Sequence, residues 1–128
     1  MQQELFQQKF PIFKLRFNKN ESKFDSVEAI IEQLKSEIEN NEHAILIAEF
    51  NHFQHTQNIQ GEIADGIKNA RHVIFCFGMK IPNPEVLAVR PRSIAVIDLG
   101  DEFMVTFMEP PMQVATDFME GWVKALIK

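Results

Sequence analysis

Two segments of this chain carry the same apolar spacing, and that repetition limits the fold more than any other feature. Val27, Ile30, Ile31, Leu34 and Ile38 fall at i, i+3, i+4, i+7 and i+11, and Ala115, Phe118, Met119, Trp122 and Leu126 repeat the template near the other end. On a helix of 3.6 residues per turn this spacing gathers the apolar side chains into one stripe, which must be covered by another element. The remaining apolar runs are too short for amphipathic helices and read as strands. Residues 11–17 (PIFKLRF) alternate, with Ile12, Lys14 and Arg16 on one side and Phe13, Leu15 and Phe17 on the other. Residues 43–50 (HAILIAEF) are evenly apolar and predict a buried central strand covered on both faces near its start, and residues 71–78 (RHVIFCFG) predict another apolar strand. Residues 93–99 and 102–109 form two more, joined at Gly100-Asp101, where glycine in the first loop position suits a type II′ hairpin.

Punctuation between these runs sets the boundaries. Asp25, with Glu28 three residues on, predicts a capping-box start to the first helix. Pro110-Pro111 is expected to end the last strand and open the last helix, because first-turn N–H groups are unpaired there and proline's missing one costs nothing. Residues 51–70 suggest one or two short helices interrupted by Gly61, Gly66 and Asn69, and the Gln-rich residues 1–10 a loose arm or short helix pinned by Phe6 and Phe10. The expected fold is a single α+β domain over residues 1–128. It is a two-layer sandwich in which two helices pack on a mainly antiparallel sheet of about five strands, in the order β-α-β(4)-α.

Composition narrows the function. With 128 residues, 45% apolar and 24% charged, the chain can bury roughly two thirds of its unfolded surface and needs no staples. Its 13 basic and 18 acidic residues give a net charge of −5, which argues against nucleic acid and against anionic membrane surfaces as partners. The single cysteine, Cys76, excludes an internal disulfide and any CxxC pair. The first ten residues lack the basic start and apolar run of a signal peptide, and no apolar stretch reaches a membrane-spanning length, so a cytoplasmic protein is expected. Twelve Phe, six Met, one Trp and no Tyr suit a dry core, a dry pocket or a dry subunit interface. A homodimer with a possible small apolar ligand follows as the expected partnership.

Three stretches carry a family likeness: SVEAIIEQLKSEIENN with the strand ending AEFNH, the strand running into Phe77-Gly78 with Asn83-Pro84 beyond it, and Arg90-Pro91 through IAVIDLGDEFMVTFMEPP. Across about residues 25–111 the chain resembles the small bacterial family called domain of unknown function 302. That resemblance implies the order β-α-β(4)-α and no assigned activity. The chain departs from the pattern in having Asn51-His52 where Asp precedes the histidine, and in placing MKIP between Phe77-Gly78 and Asn83-Pro84.

Chemistry-bearing residues are few. If a helix begins at His52, then His52 and His55 share a face as half of a metal site, with Glu49, Glu62, His72 or Cys76 as the remaining ligand. A metal- or haem-related role through these histidines is the alternative to simple ligand binding. Cys76 and Met79 make a CxxM pair of soft ligands, but strand alternation sends them to opposite faces. A cysteine/histidine-dependent enzyme requires His52 or His72 to reach Cys76, and no local signature supports it. Ser22, Ser26, Ser36 and Ser93 lack a nucleophile-elbow context, and Asp98, Asp101, Glu102 and Glu109 fit an exposed turn and edge. Arg90 or Arg92 meets an anionic ligand or pairs with surface carboxylates. The reading is a non-enzymatic small-ligand or protein-binding module. Its apolar pocket lies between sheet and helices, lined by Phe, Met and Trp, with Asn51, His52 and Arg90 as polar fixtures. No cofactor is identifiable from sequence.

Overall fold

A computed structural model describes residues 1–78 and 80–128. In chain order the elements are β1 (Gln2–Phe6), β2 (Phe10–Asn18), α1 (Val27–Glu39), β3 (Ala44–Phe50), α2 (His52–Asn58), β4 (Asn69–Phe77), β5 (Arg92–Asp98), β6 (Glu102–Met108) and α3 (Gln113–Lys124). Single 3-10 segments occupy Lys19–Glu21 and Pro84–Val89. The six strands form one open sheet in the order β1-β2-β6-β5-β4-β3, and every neighbouring pair is antiparallel. The α+β class and the two-layer arrangement are as the apolar pattern predicts. Among the described residues no helix is long and apolar enough to cross a membrane.

The core lies between the sheet and the two amphipathic helices. Alternation sends Phe13 and Phe17 of β2, Val73 and Phe75 of β4, Ile94 and Val96 of β5 to the helix side. Phe103, Val105 and Phe107 of β6 join them there, and Val27, Ile30, Ile31, Leu34 and Ile38 of α1 are at most 1% exposed against that layer. Each such side chain is worth about 1.5–3 kcal/mol when fully buried, so tertiary packing rather than helix propensity holds α1 in place. Met119, Trp122 and Val123 of α3 complete the layer, with Leu126 just beyond the helix.

Four details depart from the expectation. Residues 2–6 are neither arm nor helix but a sixth strand, paired with β2 through Gln2↔Lys14 to Phe6↔Phe10. All five of its residues are exposed, so no burial period marks it, and the turn holds Gln7 (φ +54°) and Gln8 (φ +61°) where glycine or asparagine would have signalled it. β3 is an edge strand, not a central one: Ile45 and Ile47 are 66% and 54% exposed, and its register shifts between Leu46 and Ala48. An evenly apolar run does not reveal how many neighbours it has. The α1 cap is Ser26, whose side chain accepts the Ala29 amide at 3.1 Å, one residue later than Asp25. Pro110 and Pro111 precede α3 rather than opening it, since the helix begins at Gln113. The β5–β6 hairpin closes as expected, Leu99 N–H donating to the Glu102 carbonyl at 2.9 Å with Gly100 at φ +97°.

Candidate functional site

At the end of β4 the chain leaves the sheet at Gly78, crosses a proline-rich connection and returns at Arg92 into β5. Asn83 organises that crossing: its side chain accepts the Val86 amide at 2.9 Å and starts the 3-10 turn, with Pro84 in the first position. On the other side, β6 runs out into Pro110 and Pro111 before α3 begins. Between the two connections and the first turns of α3 lies a cavity of about 680 Å³, within the range typical of small-molecule sites.

Its walls are apolar. Phe77 and Phe118 face each other as a stacked pair with centroids 6.0 Å apart, and Val86, Val89, Pro110 and Ala115 close the sides. Trp122 does not line the cavity but backs this wall, stacked on Phe77 at 5.7 Å and on Phe118 at 6.3 Å. Phe77, Phe118 and Met112 line this cavity, which lies between the two connections and α3 rather than between the sheet and the helices as expected, and Trp122 stands behind its wall.

The polar groups of the cavity are mostly cationic. Arg92 is 9% exposed; its Nη1 donates to the Val89 carbonyl at 3.1 Å, its Nη2 donates to the Met108 carbonyl, and its Nε has no partner. Burial holds this guanidinium below the usual arginine range, because a cation removed from water loses solvation. Arg90 lies across Gly78: a Cβ built on that glycine would stand 2.7 Å from Arg90 Nη2. Its Nη1 donates to the Lys80 carbonyl at 2.9 Å. Among the described residues no carboxylate pairs with Arg90, Arg92 or Lys80. Arg71 is the contrast. It reaches Glu49 at 2.9 Å and Glu28 at 3.1 Å, and Lys35 closes the same network at 2.7 Å from Glu49. Glu49 is accordingly held below the usual carboxylate range, chiefly by its hydrogen bond from Lys35.

Of the three anticipated polar fixtures only Arg90 is at this cavity. Asn51 and His52 sit beyond the far end of β3, near His72, five residues along β4 from Phe77 or about 17 Å at the rise of a strand. The Asn51 side chain is occupied as the α2 cap, accepting the Gln54 amide at 3.0 Å. A helix does begin at His52, and the two imidazoles of His52 and His55 are neighbours, with centroids 6.3 Å apart. The hydrogen-bonding partner of His52, however, is His72, with Nδ1 and Nε2 separated by 2.9 Å. All three rings gather around Phe50 at 5.1, 5.5 and 5.9 Å. Burial, then the neighbouring His52, lowers the His72 pKa from its ordinary value.

Of the further ligands proposed for His52 and His55, the fold brings His72 beside them, and it places Glu49 and Cys76 elsewhere. Glu49 points to the helix side with Lys35 and Arg71, and Cys76 lies four residues along β4 from His72. Among the described residues no group of three or more His, Cys, Asp or Glu side chains is placed to hold a metal ion. The Cys76 thiol is half-buried and donates to the Phe77 carbonyl at 3.3 Å; Met79, the other half of the CxxM pair, lies outside the described residues.

Sequence reasoning missed Gly78 and Ala115, whose value lies only in the room they leave, and it did not separate Arg92 from Arg90. The proline spacing around Arg90 and Arg92 was the available signal, since both cations flank a rigid connection.

No curated protein and no solved structure matches the chain. A family model does match, from residue 1 to residue 128, and the resemblance to domain of unknown function 302 is overturned by it. The strings behind that resemblance were an amphipathic helix, an apolar strand and a Gly-Asp hairpin, which many α+β chains share because packing demands them. The chain belongs, over its full 128 residues, to the family of unknown function DUF6858.

Proposed function

We propose that this protein is a binding module that holds a small apolar molecule in the cavity between the proline-rich connection and α3. The observation that carries the reading is the cavity itself: about 680 Å³ of space walled by Phe77, Phe118 and aliphatic side chains. Burying an apolar ligand there releases water from the ligand and from the wall, at about 25 cal/mol for each Å² removed from solvent.

Trp122 is the only tryptophan and the chain has no tyrosine, so its fluorescence reports directly on the wall it backs. Titration with the uncharged probe N-phenyl-1-naphthylamine is expected to quench Trp122 in a saturable manner. Val86→Phe, which fills the cavity from the 3-10 turn, is expected to weaken that binding at least about tenfold, the equivalent of 1.4 kcal/mol. A wild-type protein that binds no probe, or a Val86→Phe variant that binds it equally well, overturns the reading.

Self-association is the second reading. It is favoured by Ile45 and Ile47, which stand exposed on β3, one of the two edge strands of the sheet. A two-fold pairing of β3 with β3 of a second copy would cover that edge and bring these side chains together. Sedimentation at several concentrations tests it, and the mass of one chain at every concentration rules it out.

A further inference from the structure

We propose that the molecule in this cavity is an apolar carboxylate, whose negative head group is received by Arg92 and Arg90 while its body lies against Phe77 and Phe118. The inference rests on the reading of the cavity as a binding site and adds the chemical class of its occupant.

Three independent features converge on one end of an apolar space. Among the described residues Arg92 is a nine-tenths buried cation with no carboxylate partner, whereas the chain neutralises Arg71 twice over. A buried charge without a counter-ion is costly, and a protein of net charge −5 with 18 acidic residues has not supplied one here. Arg90 lies across Gly78 at the same cavity, and among the described residues the one hydrogen-bond partner of its guanidinium is the Lys80 carbonyl. The N-terminus of α3 also borders the space. Met112 in the cap position has no side-chain oxygen; its carbonyl accepts the Ala115 amide at 3.1 Å, and no side chain caps the helix beside Val114. Helix N-termini favour negative charge.

These donors suit a planar acceptor. Of the five N–H groups of Arg92, two already donate to the Val89 and Met108 carbonyls. One planar carboxylate accepts from the remaining donors of Arg92 and from Arg90. A phosphate head would bring further oxygens to satisfy beside apolar walls where Pro110 and Pro111 have no N–H to offer.

The test is displacement of N-phenyl-1-naphthylamine by four ten-carbon compounds: decanoate, decanol, decyl phosphate and decyltrimethylammonium. Decanoate is expected to bind at least about tenfold more tightly than decanol, the value of one charge-assisted hydrogen bond. Arg92→Met is expected to remove that advantage while leaving decanol within about twofold of its wild-type affinity. Arg90→Gln, at a partly exposed position, is expected to cost decanoate several-fold and serves if Arg92→Met does not fold. Equal binding of decanoate and decanol overturns the head-group assignment but leaves the cavity reading standing. Tighter binding of decyl phosphate than of decanoate overturns the carboxylate class. A probe that never binds removes both readings together.

Discussion

Gly78→Ala tests the packing of the cavity mouth without touching the apolar wall. Gly78 has φ +108°, a region closed to residues with a Cβ, so alanine costs about 1–3 kcal/mol in backbone strain. The new Cβ would also stand 2.7 Å from Arg90 Nη2, 2.9 Å from Cζ and 3.1 Å from Nη1, so the guanidinium must move. Moving it breaks the 2.9 Å bond to the Lys80 carbonyl, worth about 0.5–1.5 kcal/mol in a partly exposed setting. The sum is about 1.5–4.5 kcal/mol, and at about 2.1 cal/mol/K per residue of unfolding entropy it lowers Tm by about 6–17 °C in a chain of this length. Urea unfolding followed by Trp122 fluorescence measures it. In an Arg90→Ala background the Cβ meets no guanidinium, so only the backbone cost remains and the two changes couple by about 0.5–1.5 kcal/mol. A cost of under about 0.5 kcal/mol refutes the strain argument. A cost that is the same with and without Arg90 refutes the packing argument.

Other perturbations read other parts of the molecule. Phe75→Ala removes a fully buried ring that meets Phe77 and Trp122 edge-on, and is expected to cost about 3–5 kcal/mol in urea unfolding. The His72 pKa is lowered in the folded state, so its contribution to stability is present above the ordinary 6.5 and is lost progressively as the pH falls below it. Replacing His72 with Gln is expected to flatten that part of the stability profile, and an NMR titration should place its midpoint below 6.5. Glu49 is likewise depressed, so its stabilising effect is present above the ordinary 4.5 and disappears as the pH drops through the lowered folded value. Glu49→Gln should therefore destabilise at neutral pH and make no difference at strongly acid pH, as measured by Tm across the range.

Regular local patterns were legible in the chain. The two stripes of apolar residues at helical spacing specify α1 and α3 before any contact is known, because one face of each must be covered. The five alternating or evenly apolar runs specify five of the six strands, and Gly100-Asp101 specifies the hairpin between the last two. These signals survive in one dimension because they arise from repeat geometry within a segment.

What depends on neighbours was decided only by the tertiary structure. Residues 2–6 make a strand because β2 presents a free edge, and residues 44–50 end the sheet because nothing pairs beyond them; neither fact is written in the segment itself. The same holds for the site. Asn51 and His52 looked available, yet one side chain caps α2 and the other bonds His72 across the turn. Arg71 and Arg92 are the same residue type on neighbouring strands, and only the fold gives the first two carboxylates and the second none. Sequence determines which segments can bury a face. Charge pairing and empty space are sums over elements distant in the chain, so it takes the assembled structure to place an unpaired cation beside an apolar cavity.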